Sequence, residues 1–409
     1  MRTDPTALAG HCGTLQVDPT CTPPSTDTSP HLTRTHPRLN TNTTHRDISH
    51  HHSQMPPLPP SAPPLPRIIT YYQTHHDSSS GTHISLLPLL TQPSISVTHV
   101  MLAAIHLNDD PSALTLNDHP PSHPRFDVLW AELRVLQASG VRVLGMLGGA
   151  APGTFTRLDG SDAQFEAYYA PLRDLVRQRS LDGLDLDVEE NMSLGGVIRL
   201  IDRLRADFGP GFIITLAPVA MAMLDAEKNL SGFDYEALEV LRGREIAWYN
   251  VQFYCNWGDA SNTYMYDLML GKGWPPEKLV IGLVTNPANG AGFVPWHMLS
   301  VVLAMLRRRH QNFGGVMGWE YFNGLPGGAE RPWEWARDMT SVLRREALET
   351  PPVQPPPQEP AEPPPIPPRP ASLTTAPVGE IEADPDRADG AAAVVPSPFD
   401  YYSDGPRDD

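Results

Sequence analysis

The stretch Asp182-Gly-Leu-Asp-Leu-Asp-Val-Glu189 alternates acidic and apolar residues. Successive side chains of a β-strand point to opposite faces, so Asp185, Asp187 and Glu189 share one face and the apolar residues between them share the other. An apolar face of this kind packs against helices, which turns the acids toward the interior of the fold. The stretch therefore predicts a buried strand that carries a row of carboxyl groups.

Strand-like and helix-like segments alternate on both sides of this stretch. The predicted strands are residues 67–72, 97–105, 141–149, 183–189, 212–217, 248–254, 279–284 and 314–321. Helical periodicity is clearest at residues 126–139, 163–179 and 194–208. Strands and helices in this order imply parallel strands with right-handed crossovers, closed into a barrel. The predicted fold class is α/β, a single (β/α)8 TIM barrel with its site at the carboxyl ends of the strands.

Proline marks the limits of the predicted barrel. Residues 1–65 are rich in Thr, His, Ser and Pro and have almost no apolar run, which is typical of a disordered arm. Residues 349–409 begin with a proline-rich run and end in a mostly acidic tail, which indicates a second disordered extension. That run is either a plain spacer or a ligand for an aromatic groove. The barrel domain is accordingly expected at residues 66–348.

Charge and cysteine content restrict the class of partner. The formal net charge of -17 argues against a nucleic-acid partner, because neutralising phosphates requires a basic surface. No apolar run approaches the ~20 residues of a membrane span, and the N-terminal sequence lacks the apolar core of a signal peptide. Cys255 is alone in the barrel domain, so the fold needs no internal disulfide. We expect a monomer without metal or cofactor, and a solvated arm rather than a metal site around His50–His52.

The row of acids favours a catalytic interpretation over a structural one. Buried carboxylates without partners cost stability and raise one another's pKa, whereas catalytic sites collect acids with shifted pKa values. Asp185 and Asp187 are expected to share a proton and titrate as a pair. Glu189, nearest the mouth, is placed to protonate a leaving oxygen. Asp182 and Glu190, at the two ends, are interpreted as structural, solvated or capping groups.

The pattern D-G-x-D-x-D-x-E on the fourth strand resembles the signature of glycoside hydrolase family 18, which comprises chitinases and endo-β-N-acetylglucosaminidases. In this family the 2-acetamido oxygen of the substrate replaces an enzyme nucleophile and forms an oxazolinium ion. The resemblance implies that Asp187 balances the charge of this ion and that Asp185 modulates Asp187. It also implies that Glu189 is the general acid that later activates water.

The sixth strand adds a second resemblance. Asn250-Val-Gln-Phe-Tyr-Cys-Asn256 is similar to the family's motif at this position. The resemblance implies that Tyr254 hydrogen-bonds the acetamido oxygen and is catalytic, and that Gln252 and Asn256 bind substrate. A core position is the alternative for any aromatic residue on a strand, and it is the expected one for Phe253.

Residues on the eighth, first and third strands complete the predicted site. Trp319 resembles the tryptophan that forms the floor of the sugar subsite, where a flat ring stacks on the sugar. Tyr72 is expected to line the same pocket or to lie in the core. Gly148 and Gly149 match the Gly-Gly of the family's Ser-x-Gly-Gly motif, so they are expected to be structural. Met146 replaces the serine, and a hydroxyl that often contacts the aspartate pair is therefore missing.

Residues 66–348 resemble the fungal endo-β-N-acetylglucosaminidases of the family, through segments such as ITLAPVA and MGWEYFNGLPGG. Those enzymes cleave the N,N'-diacetylchitobiose core of N-linked glycans, preferring high-mannose forms. The resemblance implies this activity, a carbohydrate substrate and secretion, although no export signal is visible and the compartment stays open. Chitinase is the alternative, because the same catalytic atoms serve both substrates. A sugar-binding lectin is the third reading, but such proteins usually replace the terminal Glu, which is present here.

Overall fold

Eight parallel strands form a closed barrel in this computed structural model, which describes residues 65–344. Each strand pairs with the next along the chain, and the first also pairs with the last. The strands are β1 (Arg67–Tyr72), β2 (His99–His106), β3 (Arg142–Gly148), β4 (Gly183–Asp187), β5 (Ile213–Leu216), β6 (Trp248–Gln252), β7 (Leu279–Val284) and β8 (Gly315–Trp319). The predicted (β/α)8 TIM barrel is confirmed, and all predicted strands are present with ends shifted by at most two residues.

Helices connect the strands on the outside of the barrel. They are α1 (Pro88–Thr91), α2 (Asp127–Ala138), α3 (Thr154–Leu158), α4 (Asp162–Arg179), α5 (Leu194–Phe208), α6 (Tyr235–Arg242), α7 (Tyr264–Gly271), α8 (Trp296–Arg309) and α9 (Glu334–Leu343). Side-chain caps fix where several of them begin: Ser193 accepts from the backbone N–H of Gly196, and Asp234 accepts from that of Glu236. A two-residue strand, Thr115–Leu116, pairs antiparallel with β2. Within the described range, no helix has the length and apolar character of a membrane span.

Two apolar layers separate the inside of the barrel from its outside. The outer layer fills the space between strands and helices and includes Leu184 and Leu186 of β4. The inner layer occupies the barrel itself and includes Tyr71, Met146 and Trp248. The alternation along β4 thus turns its acidic side chains inward, as the sequence pattern predicts.

The seam between β1 and β8 carries a buried carboxylate at the mouth of the barrel. Glu320 follows β8 directly and is 7% exposed. It accepts hydrogen bonds from the backbone N–H groups of Gln73 (3.1 Å) and Thr74 (2.8 Å), and from the Thr74 hydroxyl (3.0 Å). Burial raises the pKa of Glu320, and these hydrogen bonds oppose that shift. The first and last strands are therefore joined by side-chain contacts as well as by backbone pairing.

The two predicted disordered extensions lie almost entirely outside the residues that the structure describes. Apart from Leu65, residues 1–65 and 349–409 lie outside the described residues, and so does the histidine run His50–His52. The limits of the barrel domain at 66 and 348, and the disorder beyond them, stay predictions.

Two glycines let the end of β3 approach β4. Gly148 has a φ of +91°, and a Cβ there would lie 2.3 Å from the Phe155 ring and 2.7 Å from the Asp187 carbonyl. Gly149 has a φ of +89° and donates its N–H to the same carbonyl at 2.9 Å. Both the backbone conformation and the close approach therefore require glycine at position 148.

Gly148→Ala is expected to destabilise the barrel more than Gly140→Ala does. Gly140 has nearly the same φ, +90°, but a Cβ there would meet no atom within 4 Å. We expect a loss of about 1–2 kcal/mol at position 140 from backbone strain alone. At position 148 overpacking adds about 1–3 kcal/mol. Urea unfolding of both variants measures the difference, and equal losses would contradict the steric argument.

Candidate active site

Asp185 is the innermost carboxyl of the row and is surrounded by hydrogen-bond donors. It accepts from the Tyr71 hydroxyl at 2.6 Å, the Thr215 hydroxyl at 2.6 Å and the Asn250 side-chain amide at 3.0 Å. These donors come from β1, β5 and β6. Complete burial raises the pKa of Asp185, and the three hydrogen bonds oppose the increase. Asp185 is thus a buried acid whose ionised form is well solvated by the protein.

Gln252 joins the other two acids of the row. Its Nε2 lies 3.1 Å from Asp187 Oδ1, 3.1 Å from Glu189 Oε1 and 2.9 Å from the carbonyl oxygen of Ala217. An amide nitrogen has only two hydrogens, so three acceptors compete for them. The contact with the Ala217 carbonyl is the shortest, which leaves one hydrogen for Asp187 and Glu189 to share. This arrangement suits a carboxyl pair that holds one proton.

The pKa values of both outer acids are raised. Burial is the main cause for Asp187, followed by the charge of Glu189 and then that of Asp185, and together they hold its pKa well above the ordinary range. Burial also raises the pKa of Glu189, against the hydrogen bond from Gln252. The sequence predicts proton sharing between Asp187 and Asp185. In the structure the charge of Glu189 raises the pKa of Asp187 more than the charge of Asp185 does, and Asp185 accepts three hydrogen bonds of its own.

Aromatic side chains surround the row. Tyr254 is 7% exposed and belongs to the inner apolar layer, directly after β6. Trp319 is half-buried at the end of β8, and its ring meets that of Tyr71 edge-on, with centroids 5.7 Å apart. Asn256 is exposed in the loop that follows β6, with a φ of 65°. The predicted residues of the sixth and eighth strands therefore lie at the same end of the barrel as the acids.

Of the two positions expected for Tyr72, pocket wall or core, the structure places it in the core. Tyr72 is fully buried in the outer layer, and its hydroxyl donates to the carbonyl of Ile84 at 2.6 Å. Its neighbour Tyr71 points inward and contacts Asp185. The strand is apolar on both faces, with Ile68 outside and Ile69 inside, so its pattern does not reveal which tyrosine faces the acids.

Asp182 and Glu190 bind backbone and side-chain groups at the ends of the row. Asp182 accepts from Arg142, Gln137 and the backbone N–H of Val143 at 2.8–2.9 Å. Glu190 accepts from the backbone N–H groups of Gly153 and Phe155 and from the Thr156 hydroxyl, each at 2.7 Å, and so caps α3. These contacts agree with the interpretation of both residues as structural.

Thr215 and Asn250 are the polar groups that sequence reasoning missed. Met146 pairs in register with Asp185 across β3 and β4 and brings no hydroxyl to it. Thr215 and Asn250 supply donors from the other side instead. Their signal in the sequence is faint: Thr215 is one polar residue in an apolar strand, and Asn250 shares its strand with the more conspicuous Gln252.

A barrel with an inward row of acids near its mouth is an arrangement that suits a glycosidase. The sequence model of the family described as glycosyl hydrolases family 18 matches residues 67–291, more than half of the chain. The chain belongs to this family, whose members act on carbohydrates.

Solved structures and curated relatives agree with the family. A fungal endo-β-N-acetylglucosaminidase of family 18 is 49% identical, with a TM-score of 0.66, over 69% of this chain and 99% of that one. A chitinase from Aspergillus fumigatus is 54% identical, with a TM-score of 0.62, over 67% of this chain and 98% of that one. Chitinase 2 of Rhizopus oligosporus is 29% identical over 211 residues, which are 46% of this chain and only 36% of that protein.

Asp187→Asn is expected to stabilise the protein increasingly as the pH rises. A carboxyl whose folded pKa is raised costs stability once the pH passes its unfolded pKa, because the folded state resists ionisation. The amide removes this cost, so the gain in unfolding free energy over wild type should be smallest near pH 4 and grow toward pH 8. Urea unfolding across this range measures it.

Asp77→Asn provides a control of opposite sign. Hydrogen bonds from Ser79 and Ser80 lower the pKa of Asp77 to about 2. Its carboxylate therefore stabilises the fold at neutral pH, and that contribution is lost as the pH falls toward 2. This variant should be less stable than wild type at pH 6. If the unfolding free energies of Asp187→Asn and wild type instead differ by the same amount at every pH, burial does not perturb the pKa of Asp187.

Proposed function

We propose that the chain is an endo-β-N-acetylglucosaminidase that hydrolyses the β-1,4 bond in the N,N'-diacetylchitobiose core of high-mannose N-glycans. The observation that carries the chemistry is the pair Asp187 and Glu189, linked by one amide and both with raised pKa values. The observation that favours this substrate is the 49% identity to the fungal endo-β-N-acetylglucosaminidase over nearly its whole length.

Glu189 is the proton donor in this proposal. Its raised pKa keeps the carboxyl protonated closer to neutral pH, and its partial exposure gives it access to the glycosidic oxygen. As Glu189 transfers its proton to that oxygen, the bond to the anomeric carbon breaks. The 2-acetamido oxygen of the substrate forms a new bond to the same carbon and yields an oxazolinium ion. The carboxylate of Glu189 then takes a proton from water as the water oxygen bonds to the anomeric carbon. The bond from that carbon to the acetamido oxygen breaks, and the two displacements together retain the configuration.

The residues around Glu189 stabilise the acetamido group. Asp187 balances the positive charge of the oxazolinium ion, and the Tyr254 hydroxyl donates to the attacking acetamido oxygen. Gln252 orients both carboxyls through contacts at 3.1 Å. The half-buried ring of Trp319 supplies the surface on which the sugar stacks. Asn256, exposed beyond Tyr254, is a further substrate contact.

Chitin hydrolysis is the second candidate, and one observation favours it. The Aspergillus fumigatus chitinase is 54% identical in sequence to this chain over the residues that match. Both activities require the same acids and the same acetamido group, so the walls of the sugar subsites decide between them.

Glu189→Gln is expected to lower kcat by about 10²–10⁴-fold, because the amide cannot donate the catalytic proton. The neighbouring Glu190→Gln is the matched control. It weakens the cap of α3, at a cost of about 1 kcal/mol in unfolding free energy, and keeps wild-type kcat. Turnover of a high-mannose glycopeptide compares the two variants. Unchanged hydrolysis in Glu189→Gln would remove that residue from the mechanism.

Product analysis distinguishes the candidate substrates. After incubation with a high-mannose ribonuclease-type glycoprotein, mass spectrometry should find the protein retaining one N-acetylglucosamine. Chitin oligomers are tested in parallel. Release of chitobiose from them, with the glycoprotein intact, would favour chitinase and contradict the proposed substrate. Binding of either glycan without cleavage would indicate a lectin.

A further inference from the structure

A line of buried contacts leads from the bottom of the barrel to Asp185. The guanidinium of Arg67 lies over the ring of Trp248, 4.2 Å from its centroid. The indole N–H of Trp248 donates to Asn250 Oδ1 at 2.9 Å, and Asn250 Nδ2 donates to Asp185 Oδ1 at 3.0 Å. Trp248 is 3% exposed, and Asn250 and Asp185 are completely buried. The indole is therefore linked to Asp185 by two hydrogen bonds through one side-chain amide, that of Asn250.

The indole decides which end of the amide faces Asp185. An amide has an oxygen that accepts and a nitrogen that donates, whereas an indole N–H only donates. The oxygen of Asn250 must therefore face Trp248, and its nitrogen must face the carboxylate. A reversed amide would bring two acceptors together at Asp185 and two donors together at Trp248. The indole itself is fixed by Arg67 above its ring and by His99, whose ring centroid is 4.7 Å away.

We propose that Trp248 is a positioning residue for the reaction, which through Asn250 holds Asp185 in place as an ionised member of the acid row. This inference rests on the proposed catalytic role of the row. Met146 brings no hydroxyl to Asp185, so the donor from Asn250 is one of the three that its carboxylate has in the described structure. An ionised Asp185 keeps a negative charge beside Asp187, which raises the pKa of that carboxyl and helps the pair Asp187 and Glu189 to keep the proton that Glu189 delivers.

The titratable groups that interact electrostatically with Asp185 come from three elements. Tyr71 of β1 donates to it, and burial keeps the pKa of that phenol well above 10. Asp187 lies on the same strand, with Glu189 just beyond. Tyr235 of α6 also senses the charge of Asp185. Since these groups are acids or phenols, hydrogen-bond donors are what stabilise the charge of Asp185.

Trp248→Phe tests the proposal because it removes the indole N–H and keeps an aromatic ring beneath Arg67. Without its orienting donor, Asn250 no longer presents Nδ2 reliably to Asp185, and the pKa of Asp185 rises further. We expect kcat to fall about tenfold, the size of one hydrogen bond to a charged group, with KM unchanged. The acidic limb of the pH profile should move to higher pH, because Asp185 is then protonated at a higher pH.

Trp130→Phe is the matched control. Trp130 of α2 is also buried, also donates its indole N–H at 2.9 Å, to the carbonyl of Pro121, and also lies beneath an arginine, Arg179, at 4.4 Å. It lies in the outer layer, away from the acids. This variant should lose stability while the pH profile stays that of wild type. If Trp248→Phe gives the same unmoved profile, Trp248 has only a structural role and the proposal is overturned.

Asn250→Asp gives an independent kinetic test. A protonated carboxyl at position 250 can accept from Trp248 and donate to Asp185, as the amide does, whereas an ionised one repels Asp185. Activity should therefore be retained toward acid pH and be lost as the pH rises through the pKa of the new carboxyl. A uniform loss at every pH would contradict the orientation argument.

A measurement without substrate separates this inference from the proposed function. Losing a donor to the ionised form of Asp185 makes the stability deficit of Trp248→Phe grow with pH, because the folded state then holds its proton more tightly. Urea unfolding between pH 4 and pH 8 should show this growth, with a deficit for Trp130→Phe that does not change with pH. A constant deficit in Trp248→Phe overturns the proposal even if the wild type is active. If the wild type hydrolyses neither glycan, the proposed function fails and the unfolding data still decide the role of Trp248.

Discussion

The burial of a carboxylate inside an apolar barrel is the constraint on which the rest of the structure depends. Asp185 lies in the inner layer among side chains such as Met146 and Leu144, where an unpartnered charge is costly. Its donors arrive from three other strands, and each must present the correct face at the correct height. A shift of one residue in β5 or β6 would turn Thr215 or Asn250 to the outer layer. Charge solvation therefore fixes the strand register.

The three acids experience different environments although they repeat every second residue. Asp185 has a full set of donors, Asp187 shares one hydrogen with its neighbour, and Glu189 is partly open to water. The donors and charges around each carboxyl thus set how readily it holds a proton. These surroundings differ because the strand leads from the closed bottom of the barrel to its mouth.

Local patterns predicted the barrel and the acid row, because both depend on alternation within short segments. The order of strands and helices identified the fold, and the faces of β4 followed from Leu184 and Leu186. The partners of Asp185 were not predictable in this way. Tyr71 and Tyr72 are equivalent in an apolar strand until closure of the barrel defines its inside. Thr215 and Asn250 are separated from Asp185 by 30 and 65 residues and meet it only through the register of the strands.

The carboxylate of Glu320 also joins two parts of the chain that are far apart in sequence. Its contacts with Gln73 and Thr74 join residues 247 and 246 positions apart, the kind of long-range closure that is slow because much chain entropy is lost first. A chain synthesised as far as β7 already contains all three acids of β4. It still lacks Trp319 and the carboxylate that fastens the loop after β1. The acids are thus synthesised early and the residues that close the mouth of the barrel late, so the acid row is enclosed only when the chain has folded through β8.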